Sequence, residues 1–148
     1  MVIEETEISD LGFVIDLVKS VSSTNILPYF SEQGQRSFAS KILPDVETAF
    51  DKTRFHSIKV TENNKLIGFG AIRDKEYITH LFVDVNYQGS GVGKSLLKHM
   101  LASSTGREVR LRASVNALNF YKSQVFFATG SETEVKGIRF VPMVWIRT

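Results

Sequence analysis

Apolar and polar positions along the chain recur with two periods, and the switches between them mark the elements. Residues 2–8 alternate loosely and predict a first strand. Ser9-Asp10 offers an N-cap, after which Leu11, Val14, Ile15, Leu17, Val18 and Val21 follow helical spacing. Residues 22–30 break that pattern with Ser-Ser-Thr-Asn and Pro28. Ser31 caps a second predicted helix, with Glu32 in its first turn and Phe38, Ile42 and Leu43 on one side. Gly34 weakens it, and Pro44-Asp45 opens a short third helical stretch reaching Phe50.

A period of two follows. Phe55–Val60 alternates, Glu62-Asn63-Asn64-Lys65 turns, and Leu66–Ile72 completes a hairpin. Gly68 and Gly70 share one face of that second strand, which invites close approach of another backbone or a ligand. Asp74-Lys75 turns the chain into a strand from Tyr77 to Val85. A helix is predicted over Ser90–Ala102, with Val92, Leu96, Leu97, Met100 and Leu101 as its core face and Gly106 as its stop. Glu108–Ser114 reads as a strand with Val109, Leu111 and Ala113 on one face and Arg110 and Arg112 on the other. Asn116–Ser123 reads as a short helix; Phe126–Glu134 and Ile138–Arg147 read as strands joined at Lys136-Gly137. Only the connections through the 90–102 and 116–123 helices are long enough for parallel crossovers. The expectation is α/β (α+β): one mixed, mostly antiparallel sheet of about seven strands with helices on both faces.

Composition bounds the function classes. The chain has 148 residues, 43% hydrophobic and 23% charged, which suits one soluble domain over 1–148. No apolar run reaches the length of a membrane span. Met1-Val2-Ile3-Glu4-Glu5 lacks the regions of a signal peptide, so cytoplasmic residence and no membrane partner are expected. The absence of cysteine excludes disulfides, thiolate metal sites and a cysteine nucleophile, and no metal is expected. Residues 1–51 hold three basic and nine acidic residues, and residues 52–148 hold fifteen basic and seven acidic. That asymmetry is compatible with plain surface drift. It also suits a basic C-terminal part that draws a polyphosphate and an acidic N-terminal part that draws a cationic amine. Scattered basic residues without interleaved aromatics argue against nucleic acid.

The candidate chemistry sits between the Tyr77–Val85 strand and the next helix, at Gln88-Gly89-Ser90-Gly91-Val92-Gly93-Lys94-Ser95. Alternate glycines let the backbone approach a bulky anion, and free N–H groups in a helix's first turn attract phosphate. A dinucleotide-binding G-x-G-x-x-G fails because position 94 is lysine. A nucleotide triphosphatase loop, G-x-x-x-x-G-K-S/T, ends correctly at Gly93-Lys94-Ser95 but needs glycine where Gln88 stands. Gln88, Gly91 and Gly93 satisfy Q/R-x-x-G-x-G/A in full. That stretch resembles the coenzyme A pyrophosphate loop of the GNAT superfamily of N-acetyltransferases. Ser114–Tyr121 resembles a second GNAT segment, matched at Asn116 and Phe120-Tyr121; the Gly-Phe that follows there is Val125-Phe126 here. Val135–Met143, and Glu32-Gln33-Gly34 with Phe38, resemble stretches of bacterial members.

The resemblance implies acetyl transfer from acetyl-CoA, as cosubstrate, to a primary amine of a small molecule or peptide, by direct attack in a ternary complex. It implies cofactor contacts at Leu81, Phe82, Val83, Val85, the loop residues Gln88 to Ser95, Asn116, Phe120 and Lys122. Free backbone edges on Val83–Val85 would pair with the pantetheine arm; Lys94, Lys98 or Lys122 would meet the remaining phosphate. Tyr121 aligns with a tyrosine that protonates the departing thiolate. A base is assigned to His80 or Glu76, or to a water chain; His80 has the more suitable ordinary pKa. Tyr29, Phe30 and Glu32 are candidates for the acceptor pocket. A homodimer is compatible with the resemblance. Two other classes stay open from sequence: a non-catalytic acyl-CoA-binding or regulatory module, and a small nucleotide triphosphatase.

Overall fold

The computed structural model describes residues 1–148. The chain forms β1 (Val2–Glu5), α1 (Leu11–Asn25), α2 (Glu32–Thr48), β2 (Phe55–Glu62), β3 (Lys65–Arg73) and β4 (Tyr77–Val83). It continues through α3 (Val92–Ser103), β5 (Glu108–Ser114), α4 (Leu118–Ser123), β6 (Phe127–Ala128), β7 (Thr133–Val135) and β8 (Ile138–Ile146). All strands join one sheet in the order β1-β2-β3-β4-β5-β8-β6, with β7 also paired to β8. Neighbours are antiparallel except β4 and β5. This is the expected mixed α/β sheet, with eight strands.

Helices cover both faces because each presents one apolar stripe. Val14, Leu17, Val18 and Val21 of α1 and Ile42 and Val46 of α2 pack on Phe55, Phe69 and Ala71. On the other face Val92, Leu96, Leu97 and Met100 of α3 pack on Ile58, Val60, Ile72, Val109 and Leu111. Burying each such side chain stabilises the fold by roughly 1.5–3 kcal/mol before entropy is counted. Gly68 and Gly70 serve this packing and not a ligand. A Cβ on Gly68 would lie 3.1 Å from Leu96 Cδ1, and one on Gly70 would lie 3.0 Å from Met100 Sδ.

Several element boundaries differ from those read in the sequence. The first strand ends at Glu5. Helix α1 continues through Ser22–Asn25, where the Ser23 hydroxyl donates to Lys19 O at 3.0 Å within the helix. The second and third helical stretches are one helix with Pro44 inside it. Pro44 and Ser40, whose carbonyl loses its helical donor, both face solvent, and Leu43 is exposed as well. Ser31 does cap α2, accepting from Gly34 N at 3.2 Å. Helix α3 starts at Val92 and stops at Ser103, where the Ser104 hydroxyl donates to Leu101 O at 2.6 Å; Gly106 lies beyond the stop. The strand expected over Phe126–Glu134 is interrupted between Ala128 and Thr133 around Gly130. The strand feeding the loop ends at Val83, so Val85 lies in a short helical turn over Val85–Tyr87. The α4 connection does cross over, but β8 lies between β5 and β6.

Two features open the sheet. Ala71 pairs with His80 while Ile72 pairs with Ile78, so Thr79 is an extra residue, a β-bulge, in β4. The bulge flips the alternation: Ile78 joins the α3 side, whereas the His80 ring packs edge-on against Phe69 on the α1–α2 side, centroids 5.5 Å apart. Beyond the bulge β4 leaves its parallel neighbour. The β4–β5 ladder holds only at Tyr77 and Arg110, with Arg110 N donating to Glu76 O at 2.9 Å.

Candidate active site

The splay between β4 and β5 is continuous with a cavity of about 820 Å³, the size of a small-molecule site. Its walls come from both faces of the sheet. On one side stand the loop glycines Gly89, Gly91 and Gly93 with Lys94, Asn116 and Phe120. On the other stand Ile26 and Phe30 beside α1, Phe38, Lys41 and Asp45 of α2, and Arg139 and Phe140 of β8. The cavity therefore passes through the sheet where the ladder is open.

At the loop end the backbone is shaped for an anion. Gly89 and Gly91 have φ of +79° and +91°, the left-handed region, and a Cβ on either would meet no protein atom within 4 Å. Both residues thus leave their outer side open. Gly91 is the N-cap of the twelve-residue α3, so that helix's first amides and partial positive charge face the loop. Gly93 is different: its φ is ordinary, and a Cβ there would touch the Phe120 ring at 3.5 Å. Gln88 staples the loop, its Nε2 donating to Val83 O and to Asn25 Oδ1, each at 3.0 Å. The Ser90 hydroxyl donates to Tyr87 O. The Val83 carbonyl is therefore taken by Gln88, so the free strand edge expected over Val83–Val85 does not include it. These glycines, the helix end and the open strand edges fit a coenzyme A diphosphate and its extended arm.

The residues read from the sequence divide into two groups. Leu81, Phe82, Val83, Gln88, Gly89, Gly91, Gly93, Lys94, Asn116 and Phe120 all line the cavity. Val85, Ser90, Val92, Ser95 and Lys122 do not. Val92 is core, 4% exposed, and Lys122 faces solvent on α4. Phe30 lines the acceptor end. Tyr29 contributes only its carbonyl, which accepts from Arg139 Nη1 at 2.9 Å, and Glu32 is exposed beside Arg36.

Three candidates for proton chemistry separate clearly. Tyr121 lines the cavity and is 7% exposed, with its ring between Phe120 and Phe126 at centroid distances of 5.2 and 5.6 Å. Burial raises its phenol well above the ordinary range, so it holds its proton at neutral pH. His80 also lines the cavity and is 8% exposed. Burial lowers its imidazole to about 4, so the ring is neutral. Its Nδ1 lies 2.8 Å from Thr79 Oγ1, whose hydroxyl reaches Ala71 O at 3.4 Å. With the Thr79 hydroxyl donating to Ala71 O and accepting from Nδ1–H, the ring's lone pair is on Nε2. Glu76 is exposed in the turn before β4, at the closed end of the ladder and outside the cavity. The turn holds it away from the site that the base assignment requires.

Sequence reading missed Lys41, Asp45, Arg73 and Arg112, all on the acceptor wall. Strand alternation put Arg112 opposite the core positions of β5; the strand order that turns that side into a cavity wall is not written locally. The acidic N-terminal part brings only Asp45 to the cavity. Partial desolvation holds Asp45 above its usual range, opposed by Lys41 one turn away.

No helix is long and apolar enough to cross a membrane, and no cluster of His, Asp and Glu has the makings of a metal site. A family model described as an acetyltransferase (GNAT) domain matches residues 26–147. The chain is 31% identical over 74 residues to the peptidyl-lysine N-acetyltransferase YjaB of Salmonella typhimurium. That match spans 49% of this chain and 50% of its relative, so it covers about half the length of each. Among solved structures, a GCN5-related N-acetyltransferase from Rhodopseudomonas palustris superposes with a TM-score of 0.83 at 18% identity, over 99% of this chain and 95% of the other. PaiA N-acetyltransferase from Thermoplasma acidophilum, in complex with coenzyme A, gives 0.76 at 21% identity over 99% and 100%. The aminoglycoside 6'-N-acetyltransferase of Enterococcus faecium gives 0.71 at 11% identity over 99% and 97%.

Proposed function

Because the chain belongs to the GNAT acetyltransferase family, and is an acyltransferase on that ground, we propose that it moves an acetyl group from acetyl-CoA to a primary amine within a single domain. Transfer runs by direct attack in a ternary complex. The observation that carries this reading is one cavity, opening where β4 and β5 part, that the loop glycines, Tyr121, His80 and residues of α2 all line.

Acetyl-CoA supplies an activated acetyl thioester and a thiolate leaving group. The chain's own residues do the rest. Amides around Gly89–Gly93 receive the diphosphate, with Lys94 beside them as a counter-charge. Open edges of β4 hold the extended arm in line with the bulge at Thr79. The amine nitrogen forms its bond to the acetyl carbon as the carbon–sulfur bond breaks. Tyr121 delivers its phenolic proton to the sulfur and is restored from solvent. His80 is too weak a base to strip a free ammonium, whose pKa lies near ~10.4 for a lysine-like amine. It accepts a hydrogen bond from the neutral amine and takes the proton that the nitrogen sheds once the new bond has formed. The working acceptor is therefore the minor, unprotonated amine.

Calorimetric titration with acetyl-CoA tests the first half of the reading, and thiol release with an amine panel tests the second. Acetyl-CoA is expected to bind without magnesium, and Gly91→Val, which forces a β-branched residue to positive φ, is expected to weaken binding more than about tenfold. Magnesium-dependent ATP binding, without acetyl-CoA binding, would refute it.

A further inference from the structure

The charges on the cavity wall are one-sided. Lys41, Arg73, Lys94, Arg112 and Arg139 line it against a single carboxylate, Asp45. Some of these are already answered. Arg139 makes a two-pronged pair with Glu132, with contacts of 2.8 and 3.0 Å. Lys41 stands one helical turn from Asp45 and is felt by it. Lys94 stands at the diphosphate end. Arg73 has only a longer contact to Asp74, 3.9 Å. The Arg112 side chain has no hydrogen bond or ion pair to any residue.

Arg112 is nonetheless held in place. Its guanidinium lies 4.5 Å from the centre of the Phe140 ring, and Arg73 lies 4.8 Å from that of Tyr77. Stacking on an aromatic face leaves the in-plane N–H fork of an arginine free. The β4–β5 pairing holds only at Tyr77 and Arg110, so Arg112, two residues on, lies just past the point where the strands part, and it lines the same cavity as Thr79 and His80. Val109, Leu111 and Ala113 face α3, so Arg112 faces the α1–α2 side, where Phe140 and α2 close the acceptor pocket. Burial raises the Tyr77 phenol, on whose ring Arg73 stacks, and the charges of Arg112 and Arg73 oppose that shift.

We infer that the acceptor amine carries a carboxylate, received by Arg112 with Arg73 on the α1–α2 face of the sheet, in the cavity that His80 also lines. The inference rests on the N-acetyltransferase reading of the same cavity. A planar fork suits a carboxylate through two parallel hydrogen bonds. The unanswered charge at this end repels polycationic amines, and a carboxylate neutralises it. Acceptors of the class of free amino acids or short peptides with a nearby carboxyl group meet both requirements.

The test is calorimetric titration of the full chain saturated with coenzyme A, using free amino acids, their α-amides, spermidine and phosphoethanolamine. Amino acids are expected to bind more than about tenfold tighter than their amides, and spermidine weakest. Arg112→Gln is expected to bring the acid-to-amide ratio near one, and Arg73→Gln to reduce it several-fold. Acetyl-CoA affinity of each variant reports that it has folded. Amides or spermidine binding as tightly as the acids, or a ratio that survives Arg112→Gln, would overturn the inference. Phosphoethanolamine binding tighter than every amino acid would also overturn it, assigning the fork to phosphate. Acetyl transfer is read on the same panel. Transfer with no acid preference removes this inference alone; an intact preference with no transfer to any amine removes the enzymatic reading alone.

Discussion

Gly34 of α2 and Gly137 of the β7–β8 turn meet backbone to backbone. A Cβ on Gly34 would fall 2.6 Å from the Gly137 carbonyl carbon, and a Cβ on Gly137 would fall equally close, 2.6 Å, to Gly34 Cα. Gly137 also has φ of +82°. The contact seats the hairpin on α2 and closes the acceptor end of the cavity. Neither backbone segment can yield to a methyl group by rotating a side chain. Gly34→Ala is expected to lower unfolding free energy by about 2 kcal/mol or more, although alanine is the better helix former. Urea denaturation measures it, and an unchanged or raised midpoint would show that the contact is not made.

Val125 occupies a left-handed position, φ +67°, in the turn between α4 and β6, where the resemblance led us to expect glycine. A β-branched side chain is strained there by roughly 1–2 kcal/mol. It is 61% exposed and gives little packing in return. The turn itself is kept: Phe126 N donates to Tyr121 O at 3.0 Å, so Phe126 still packs on the Tyr121 ring. Val125→Gly is expected to stabilise the protein by about 1 kcal/mol, after allowing for glycine's entropy. A fall in melting temperature would contradict the strain.

His80 ties stability to pH. Its folded pKa, about 4, lies below the ordinary 6.5, because burial disfavours the charged ring. Below pH 6.5 the unfolded chain therefore binds a proton that the folded chain refuses. Stability from this residue is fully present above 6.5 and is lost as pH falls toward 4. The loss is about 3 kcal/mol by linkage. Urea midpoints from pH 7.5 to 4 should show a steeper decline for the native chain than for His80→Gln. Parallel declines would mean that the imidazole is not sealed as described.

The sequence was most legible where a rule needs few residues. Asn63-Asn64, Asp74-Lys75 and Lys136-Gly137 all take positive φ at hairpin turns, a conformation that Asn63, Asn64, Asp74 and Gly137 favour by residue type. Gln88, Gly91 and Gly93 marked the loop for the same reason: helix ends and tight turns are local. Features decided across the sheet were not legible. Tyr77–Val85 reads as one strand, and only its partner strand reveals Thr79 as a bulge. Pro44 signalled a helix start because its exposure, which makes it tolerable inside α2, is a tertiary fact. Arg112 pointed away from the core in the strand pattern. That it points into a cavity depends on β8 and α2, which follow and precede it by many residues.

Tyr121 carries the central claim, that this cavity transfers acetyl from acetyl-CoA to an amine. Its hydroxyl has no hydrogen-bond partner in the protein, so Tyr121→Phe should leave the melting temperature and acetyl-CoA affinity nearly unchanged. The direct measurement is the rate of N-acetylated product and free thiol formed together from acetyl-CoA, for the native chain and for Tyr121→Phe. The account predicts equal amounts of product and thiol, a rate rising with pH as the amine deprotonates, and a fall of about 10²-fold or more in kcat for the variant. Product formed at the native rate by Tyr121→Phe would contradict the proton donor. Acetyl-CoA bound with no N-acetylated product from any amine would contradict the claim itself.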